Sequence, residues 1–279
     1  MPDTNVLISA FDLAHLIDIG KPPVLLDVRW ALGETHGIDR YHRGHIPGAV
    51  YVDLDSELAD PPSLELGRHP LPDIGRLQQA ARRWGLSDGD PVVAYDAFGG
   101  LAAARAWWLL RWAGLTDVRL LDGGLPAWTA GGHKVAAGPG ERPHPGTVSL
   151  SAGHLPTLGP DEVARFPSHG VLLDARSSAR FRGDEEPVDR RAGHVPGAVS
   201  APTTENLRED GSFRPPDQLA ARFERLGVTG GDVAVYCGSG INAAHEIAAL
   251  AIVGIDAAMY PGSWSQWAAD PRRPVATGG

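Results

Sequence analysis

The sequence predicts an α/β protein built from two similar domains, each a parallel sheet with helices on both faces. Three observations lead to that expectation: an internal repeat, short apolar runs bounded by turn residues, and helical patterns that directly follow those runs. The clearest repeat pairs residues 44–50 with residues 193–199, in which six of the seven residues are identical. A repeat of this length indicates a duplicated structural unit.

The repeat continues along both halves of the chain in the same order. Residues 25–29 match 172–176, residues 92–96 match 233–237, and residues 121–123 match 260–262. The offset between the copies falls from 149 residues at position 44 to 141 residues at position 92, so the first half carries an insertion there. Four prolines between positions 61 and 72 predict that this insertion is a loop.

Two kinds of element are expected within each copy. The apolar runs at residues 23–28 and 171–175 are typical of strands buried on both faces of a sheet. Residues 101–112 and 242–253 are rich in Ala and Leu and follow strands directly, which predicts crossover helices. Between the copies, the Gly- and Pro-rich residues 139–157 predict a linker, with a short strand at 147–150. The domains are therefore placed at 1–138 and 158–279.

Composition excludes several classes of function. The 279 residues are 43% hydrophobic with a formal net charge of −9, which indicates a folded protein whose surface repels nucleic acid. No apolar stretch reaches the roughly 20 residues of a membrane span, and acidic residues stand near the N-terminus, so we expect a cytoplasmic protein without a membrane partner. Cys237 is the only cysteine, which excludes an internal disulfide and a multi-cysteine zinc site.

The two Gly-His-x-Pro-Gly-Ala blocks allow two interpretations. The first is a turn, in which glycine and proline set the backbone and the histidine hydrogen-bonds to it. The second makes His45 or His194 a base or a ligand. Asp27 and Asp174, which end predicted strands, are interpreted as hydrogen-bonding residues of turns or of the domain interface.

The halves differ where Asp96 in the first corresponds to Cys237 in the second. Cys237 closes a predicted strand, and residues 238–242 lead from it into a helix. Such a loop can direct backbone N–H groups inward at a helix N-terminus, which stabilises a thiolate and makes it a nucleophile. The alternative is a small buried hydrophobic residue. Flanking glycines and the carboxyl end of a parallel strand, where ligands bind, favour a reactive cysteine.

Three motifs in combination resemble the two-domain rhodanese-type sulfurtransferases: the paired Gly-His-x-Pro-Gly-Ala blocks, Leu-Asp-Gly-Gly-Leu-Pro-Ala-Trp at 121–128, and Cys-Gly-Ser-Gly-Ile-Asn at 237–242. The resemblance implies two rhodanese-like domains, with Asp96 in an inactive N-terminal loop and the nucleophile Cys237 in the C-terminal one. It also implies double displacement, in which a Cys237 persulfide carries sulfane sulfur from a small anionic donor to cyanide or a thiol acceptor. No metal or organic cofactor is required.

The resemblance further implies residues that bind the donor. The loop is close to the Cys-Gly-Ser-Gly-Val-Thr sequence of enzymes that use 3-mercaptopyruvate, which favours that donor over thiosulfate. Ile241 and Asn242 stand where those enzymes have Val and Thr. Gly238 and Gly240 allow the donor and the backbone to approach closely.

The donor's anionic end is expected to be held by arginine. Similarity assigns this role to Arg180, whose planar guanidinium suits a carboxylate or a pair of thiosulfate oxygens. Arg190 or Arg191 is a second contact, and an exposed charge in a polar loop is the alternative for both.

Some enzymes of this kind use a loop serine and a histidine of the N-terminal domain to move protons. The matching residues would be Ser239 and His45, with Glu34 or Asp39 as the acidic partner. A cysteine phosphatase is excluded, because its loop needs an arginine six positions after the cysteine and Ala243 stands there. A non-catalytic or carrier module that delivers persulfide sulfur to a protein partner is the alternative function.

Overall fold

The first domain is built on a five-stranded parallel sheet. The computed structural model describes residues 6–140 and 143–279. The strands are β1 (Leu7–Ile8), β2 (Val24–Asp27), β3 (Val50–Tyr51), β4 (Val92–Tyr95) and β5 (Val118–Leu121), in the order β1-β5-β4-β2-β3. The helices are α1 (Ala10–Asp18), α2 (Gly37–Arg43), α3 (Leu54–Glu57), α4 (Ile74–Arg83), α5 (Ala103–Trp112) and α6 (Gly124–Ala130).

The second domain repeats this plan with a four-stranded parallel sheet. Its strands are β6 (Gly170–Asp174), β7 (Val199–Ser200), β8 (Asp232–Tyr236) and β9 (Ala258–Met259), in the order β7-β6-β8-β9. Its helices are α7 (Pro160–Arg165), α8 (Ser178–Arg182), α9 (Pro216–Arg225), α10 (Ile241–Ile252) and α11 (Ser263–Ala269), with short 3₁₀ turns at Phe166–Ser168 and Thr203–Asn206. Thr157 forms a single parallel bridge to Met259, in the place that β1 takes beside β5.

The predicted class of two tandem α/β domains is confirmed. The predicted strand at 23–28 contains β2, and the predicted strand at 171–175 overlaps β6 with an offset of one residue. The predicted helices at 101–112 and 242–253 overlap α5 and α10. The interiors of β2, β4, β6 and β8 are buried, because helices cover both faces of each sheet. Alternation of apolar and polar residues is therefore missing from these strands.

The segment between the domains is packed rather than free. The predicted strand at 147–150 is not formed. Instead, the buried Val148 donates its backbone N–H to Leu86 at 3.1 Å, and Arg82 donates to the Val148 carbonyl at 2.9 Å. Residues 1–5 of the predicted first domain and 141–142 of the predicted linker lie outside the described residues. The domain boundaries at 138 and 158 stay a prediction.

Helices α5 and α10 join the two domains. They pack against each other, and small residues such as Ala103 and Ala106 on α5 and Ala243 and Ala244 on α10 are fully buried in one continuous apolar core. Small side chains allow two helices to approach closely. Because α5 follows the loop after β4 and α10 follows the loop after β8, this packing brings both loops to the domain interface.

Candidate active site

Cys237 follows β8 directly and lies at the N-terminus of α10. Its side chain is buried, and its Sγ accepts a hydrogen bond from the backbone N–H of Gly240 at 3.1 Å. Gly240 has a φ of 82°, and a Cβ there would lie 2.8 Å from the Pro261 carbonyl oxygen. Only glycine fits both the left-handed backbone and that close approach. The loop therefore points an N–H group at the sulfur, as the sequence predicted.

The start of α11 fixes the loop from the other side. The Cys237 N–H donates to the Ser263 hydroxyl at 3.1 Å, and the Cys237 carbonyl accepts from the Trp264 N–H at 2.9 Å. The Gly238 carbonyl accepts from the Ser265 N–H at 2.9 Å. These bonds hold the peptide groups on both sides of the sulfur.

Two arginines from different domains face the loop. A Cβ on Gly238 would lie 3.0 Å from Nη2 of Arg68 and 3.4 Å from Nη1 of Arg180. Arg180 donates to Glu186 at 2.7 Å and to Asp189 at 3.1 Å, and Arg68 is ion-paired with Asp189. Burial raises the pKa of Asp189, and the Arg68 charge opposes that shift. Both guanidinium groups are thus placed to bind an anion beside Cys237.

Ser239 belongs to a relay of three polar side chains. His69 Nδ1 lies 2.8 Å from the Ser239 hydroxyl, and His69 Nε2 lies 3.2 Å from Asp55 Oδ1. Because a carboxylate only accepts, the Nε2–H of His69 donates to Asp55, which leaves Nδ1 to accept the Ser239 hydroxyl. Burial lowers the pKa of His69 to about 4, and the Arg105 charge adds to this shift. His69 is therefore neutral at pH 7 and can accept a proton.

Trp30 supports this relay. Its Nε1–H donates to the same Asp55 Oδ1 at 3.0 Å, and its ring packs edge-on against His69 with 5.5 Å between the ring centroids. Asp55 is 60% exposed at its side chain, so the bond from Trp30 restrains a carboxylate that would otherwise rotate freely.

The structure does not bring His45 to Ser239, so the prediction that His45 assists the serine is wrong. His45 Nδ1 lies 3.0 Å from the Tyr41 carbonyl oxygen, and the ring stacks on Tyr41 with 3.9 Å between centroids. His194 has the same arrangement with Phe181, at 2.7 and 3.7 Å. Both histidines build the turn of the repeated block, as the first interpretation of the motif expected.

The proposed acidic partners of the histidine also need correction. Glu34 is ion-paired with Arg40, and Asp39 lies 3.2 Å from His36 on an exposed part of the surface. The carboxylate that contacts the relay histidine is that of Asp55.

Arg190 and Arg191 do not supply the second cation of the site. Arg190 is exposed and lines a neighbouring cleft, which shares Arg68 with the cavity around Cys237. Arg191 donates to backbone carbonyls at the end of α11 and beyond, those of Trp267, Ala268, Asp270 and Arg273. Arg191 therefore holds the C-terminal segment in place, and the second cation is Arg68.

Sequence reasoning missed His69 and Arg68, although a signal was present. Both residues lie in the proline-rich insertion that separates the two halves of the repeat. An insertion confined to one copy is not needed by the fold, so an Arg-His pair within it is a candidate for function. Asp55 gave no comparable signal, because it lies on the short helix α3 among other acidic residues.

The loop and the two arginines line one cavity of about 300 Å³, which the relay reaches through Ser239. Its lining includes most of the predicted site residues, namely Cys237, Gly238, Ser239, Ile241, Asn242 and Arg180, together with Arg68 and Trp30. A cavity of this size holds a ligand of a few heavy atoms. The cations and the sulfur on its wall suit a small anion that carries sulfur.

Comparison with known families decides the assignment. Residues 9–131 and 160–270 each match the rhodanese-like domain family. The chain belongs to the rhodanese family. The first match covers β2 to β5 and the second covers β6 to β9 with the cysteine loop, so the predicted tandem of rhodanese-like domains is confirmed.

Relatives of this rhodanese share nearly its full length. SseB of Mycobacterium tuberculosis, provisionally assigned as a thiosulfate sulfurtransferase, is 48% identical over 281 residues, which cover 98% of each chain. A Pseudomonas aeruginosa protein provisionally assigned as a 3-mercaptopyruvate sulfurtransferase is 44% identical over 275 residues, which cover 93% of this chain and 94% of that one. The predicted membership among the sulfurtransferases is thus confirmed, and the two names differ in the donor.

Solved structures agree with this assignment. The crystal structure of SseA from Escherichia coli, described as a 3-mercaptopyruvate sulfotransferase with the rhodanese fold, has a TM-score of 0.82 and 30% sequence identity. The match covers 93% of this chain and 99% of that one. Within the part of this rhodanese that the structure describes, no helix has the length and apolar character needed to cross a bilayer.

Proposed function

We propose that this rhodanese transfers sulfur from 3-mercaptopyruvate in preference to thiosulfate, through a persulfide on Cys237. The observation that supports this donor is the Ser239–His69–Asp55 relay beside the nucleophile. The two donors differ in their leaving groups, since 3-mercaptopyruvate releases an enolate that must gain a proton and thiosulfate releases sulfite that need not. A proton relay is useful only to the first donor.

Donor binding uses the two cations at the loop. The carboxylate of 3-mercaptopyruvate would be held by Arg180 and Arg68, whose guanidinium groups both lie close to where a side chain on Gly238 would begin. Both arginines are ion-paired with acidic side chains: Arg180 with Glu186 and Asp189, and Arg68 with Asp189. The donor carboxylate would therefore either displace Glu186 and Asp189 from the two arginines or bind beside them. Gly238 offers no side chain that would separate the donor from the cations.

The first half-reaction moves sulfur to the enzyme. The Cys237 thiolate attacks the donor sulfur, an S–S bond forms, the donor C–S bond breaks, and its electron pair passes into the enolate of pyruvate. The proton of the donor thiol returns to the enolate carbon by way of Ser239 and His69. The neutral state of His69 at pH 7 suits this exchange, because it can accept the Ser239 proton and return it.

The second half-reaction returns the enzyme to its starting state. A thiol or cyanide attacks the outer sulfur of the persulfide, and the S–S bond breaks with its electron pair on Cys237 Sγ. The Gly240 N–H, which donates to Sγ in the resting structure, stabilises the anion that forms. The identity of the acceptor and a cytoplasmic location stay predictions.

Steady-state kinetics with both donors tests the proposal. We expect a higher kcat/KM for 3-mercaptopyruvate in the wild type, and a loss of about a hundredfold with that donor in Ser239→Ala and His69→Gln. With thiosulfate the same variants should change by only a few fold. His45→Gln is the matched control, because it removes a buried histidine that does not contact Ser239.

A wild type that prefers thiosulfate would overturn the choice of donor. Equal losses with both donors in the Ser239 and His69 variants would overturn the proton relay.

A further inference from the structure

Arg105 is a fully buried cation that reaches the active-site loop from the other domain. It lies on α5 of the N-terminal domain, with no exposed surface. Its guanidinium donates to four backbone carbonyls, at 3.1 to 3.2 Å: those of Leu58, His69, Pro70 and Gly240. Gly240 is the residue whose N–H donates to Cys237 Sγ.

Arg105 differs from the other buried arginines in the described part of the chain. Each of those bonds a buried carboxylate: Arg29 with Asp27, Arg176 with Asp174, and Arg222 with Glu246. Within residues 6–140 and 143–279, no acidic side chain forms an ion pair with Arg105. A buried cation without a counter-charge is costly, so an anion nearby is expected.

The anion in reach is the sulfur of Cys237. The Arg105 guanidinium bonds the Gly240 carbonyl at 3.2 Å, and the N–H of the same residue bonds Sγ at 3.1 Å. Burial lowers the pKa of Arg105 to about 10, and attraction to the Cys237 thiolate acts in the opposite direction. Arg105 therefore stays charged at neutral pH.

We infer that Arg105 is a positioning residue that supplies, across the domain interface, the counter-charge of the Cys237 thiolate and persulfide. The inference rests on the proposed role of Cys237 as the nucleophile. It adds a third contribution of the N-terminal domain to the active site, beside the Ser239–His69–Asp55 relay and Arg68. Arg105 also fixes the Gly240 peptide, so the charge and the N–H donor act on the sulfur together.

The internal repeat provides a comparison for this inference. His245 on α10 mirrors Arg105, because its Nε2–H donates to the Gly99 carbonyl of the inactive loop at 3.1 Å. Burial lowers the pKa of His245 to about 4, so this residue is neutral at pH 7. The reactive loop thus receives a cation from the opposite domain, and the loop that holds Asp96 receives a neutral ring.

Alkylation of Cys237 tests the inference without any sulfur donor. Iodoacetamide reacts with the thiolate, and since the protein has one cysteine, the dependence of the rate on pH reports the thiolate fraction of Cys237. In Arg105→Met we expect a rate about tenfold or more lower at pH 7, with the curve of rate against pH moved to higher pH. Arg105→Lys should restore most of the rate, and His245→Gln should leave the curve unchanged.

An Arg105→Met curve that coincides with the wild-type curve would overturn the inference. So would an equal shift in His245→Gln, because interface packing would then account for both effects. Should Arg105→Met fail to fold, Arg105→Lys and Arg105→Gln are compared instead: slower alkylation in Arg105→Gln than in Arg105→Lys supports the inference, and equal rates contradict it. Since alkylation involves neither donor nor acceptor, its outcome is independent of whether sulfur transfer from 3-mercaptopyruvate is observed.

Discussion

The two halves of the molecule build the same kind of loop around different side chains, Asp96 in the first half and Cys237 in the second. In the N-terminal domain, both carboxylate oxygens of Asp96 accept backbone N–H groups at 2.8 to 3.1 Å: those of Phe98, Gly100, Ala102 and Ala103. In the C-terminal domain, the Sγ of Cys237 takes the corresponding place and accepts from Gly240. The comparison teaches that the fold itself builds an anion site at this position, and that the residue inside it decides whether the site is reactive.

Loop length separates the two sites further. Six residues lie between Asp96 and the start of α5, and three lie between Cys237 and the start of α10. The longer loop wraps its N–H groups around a carboxylate that belongs to the chain. The shorter loop leaves its sulfur beside a cavity of about 300 Å³. In the N-terminal domain the Asp96 carboxylate fills the loop, whereas in the C-terminal domain the loop borders an open cavity.

The scaffold behind both loops is the same. Arg29 bonds Asp27 and the Gly44 carbonyl, and Arg176 bonds Asp174 and the Gly193 carbonyl. In each half, a tyrosine hydroxyl at the end of the central strand accepts the N–H that follows the block histidine, Tyr95 from Ile46 and Tyr236 from Val195. The repeated residues therefore serve the fold, and the residues that differ serve the chemistry.

Replacing the nucleophile should have the largest effect. Cys237→Ser should abolish transfer from every donor, because the alcohol is not ionised at neutral pH. Cys237→Asp should also be inactive and yet folded, since it makes the reactive loop resemble the inactive one. Circular dichroism and thiocyanate formation from cyanide measure these outcomes. Substantial activity in either variant would contradict the role assigned to the sulfur.

Replacing Asp96, the carboxylate inside the N-terminal loop, should lower the stability of the protein rather than its activity. Asp96→Ala leaves the buried N–H groups of its loop without a partner, so we expect the free energy of unfolding to fall by about 3 kcal/mol. Denaturant unfolding measures this loss. The folded variant should keep most of its sulfur-transfer activity at low denaturant. A loss of activity as complete as that of Cys237→Ser would contradict the view that the Asp96 loop serves stability and the Cys237 loop serves the reaction.

Much of the fold, and the difference between the Asp96 and Cys237 loops, could be predicted from the sequence. The repeat, the buried strands and the exchange of Asp96 for Cys237 are local patterns that periodicity and comparison of the halves expose. His69 and Arg105 could not be placed in the same way. Their partners, Ser239 and Gly240, lie more than a hundred residues away, and only the packing of α5 on α10 brings them together. The role that the family resemblance gave to His45 was also wrong, because the block that holds this histidine occurs in both halves and builds a turn in each.

The donor cations should show a smaller effect. Arg180→Ala and Arg68→Ala each remove one charge-assisted contact, which should cost about 1.5–3 kcal/mol, or roughly one to two decades in kcat/KM. Arg190→Ala is the matched control, because Arg190 is exposed on the neighbouring cleft, and it should change kcat/KM less than about twofold. Unchanged kinetics in both Arg180→Ala and Arg68→Ala would contradict the proposed donor site.

The most direct test of the account is the mass of the intact protein after exposure to donor alone. We expect a gain of one sulfur atom on the wild-type chain, carried by its single cysteine and removed by cyanide or a reducing thiol. Cys237→Asp, treated in the same way, should gain nothing. A wild-type mass that does not change while transfer proceeds, or an equal gain in the Cys237→Asp variant, would contradict a persulfide on Cys237.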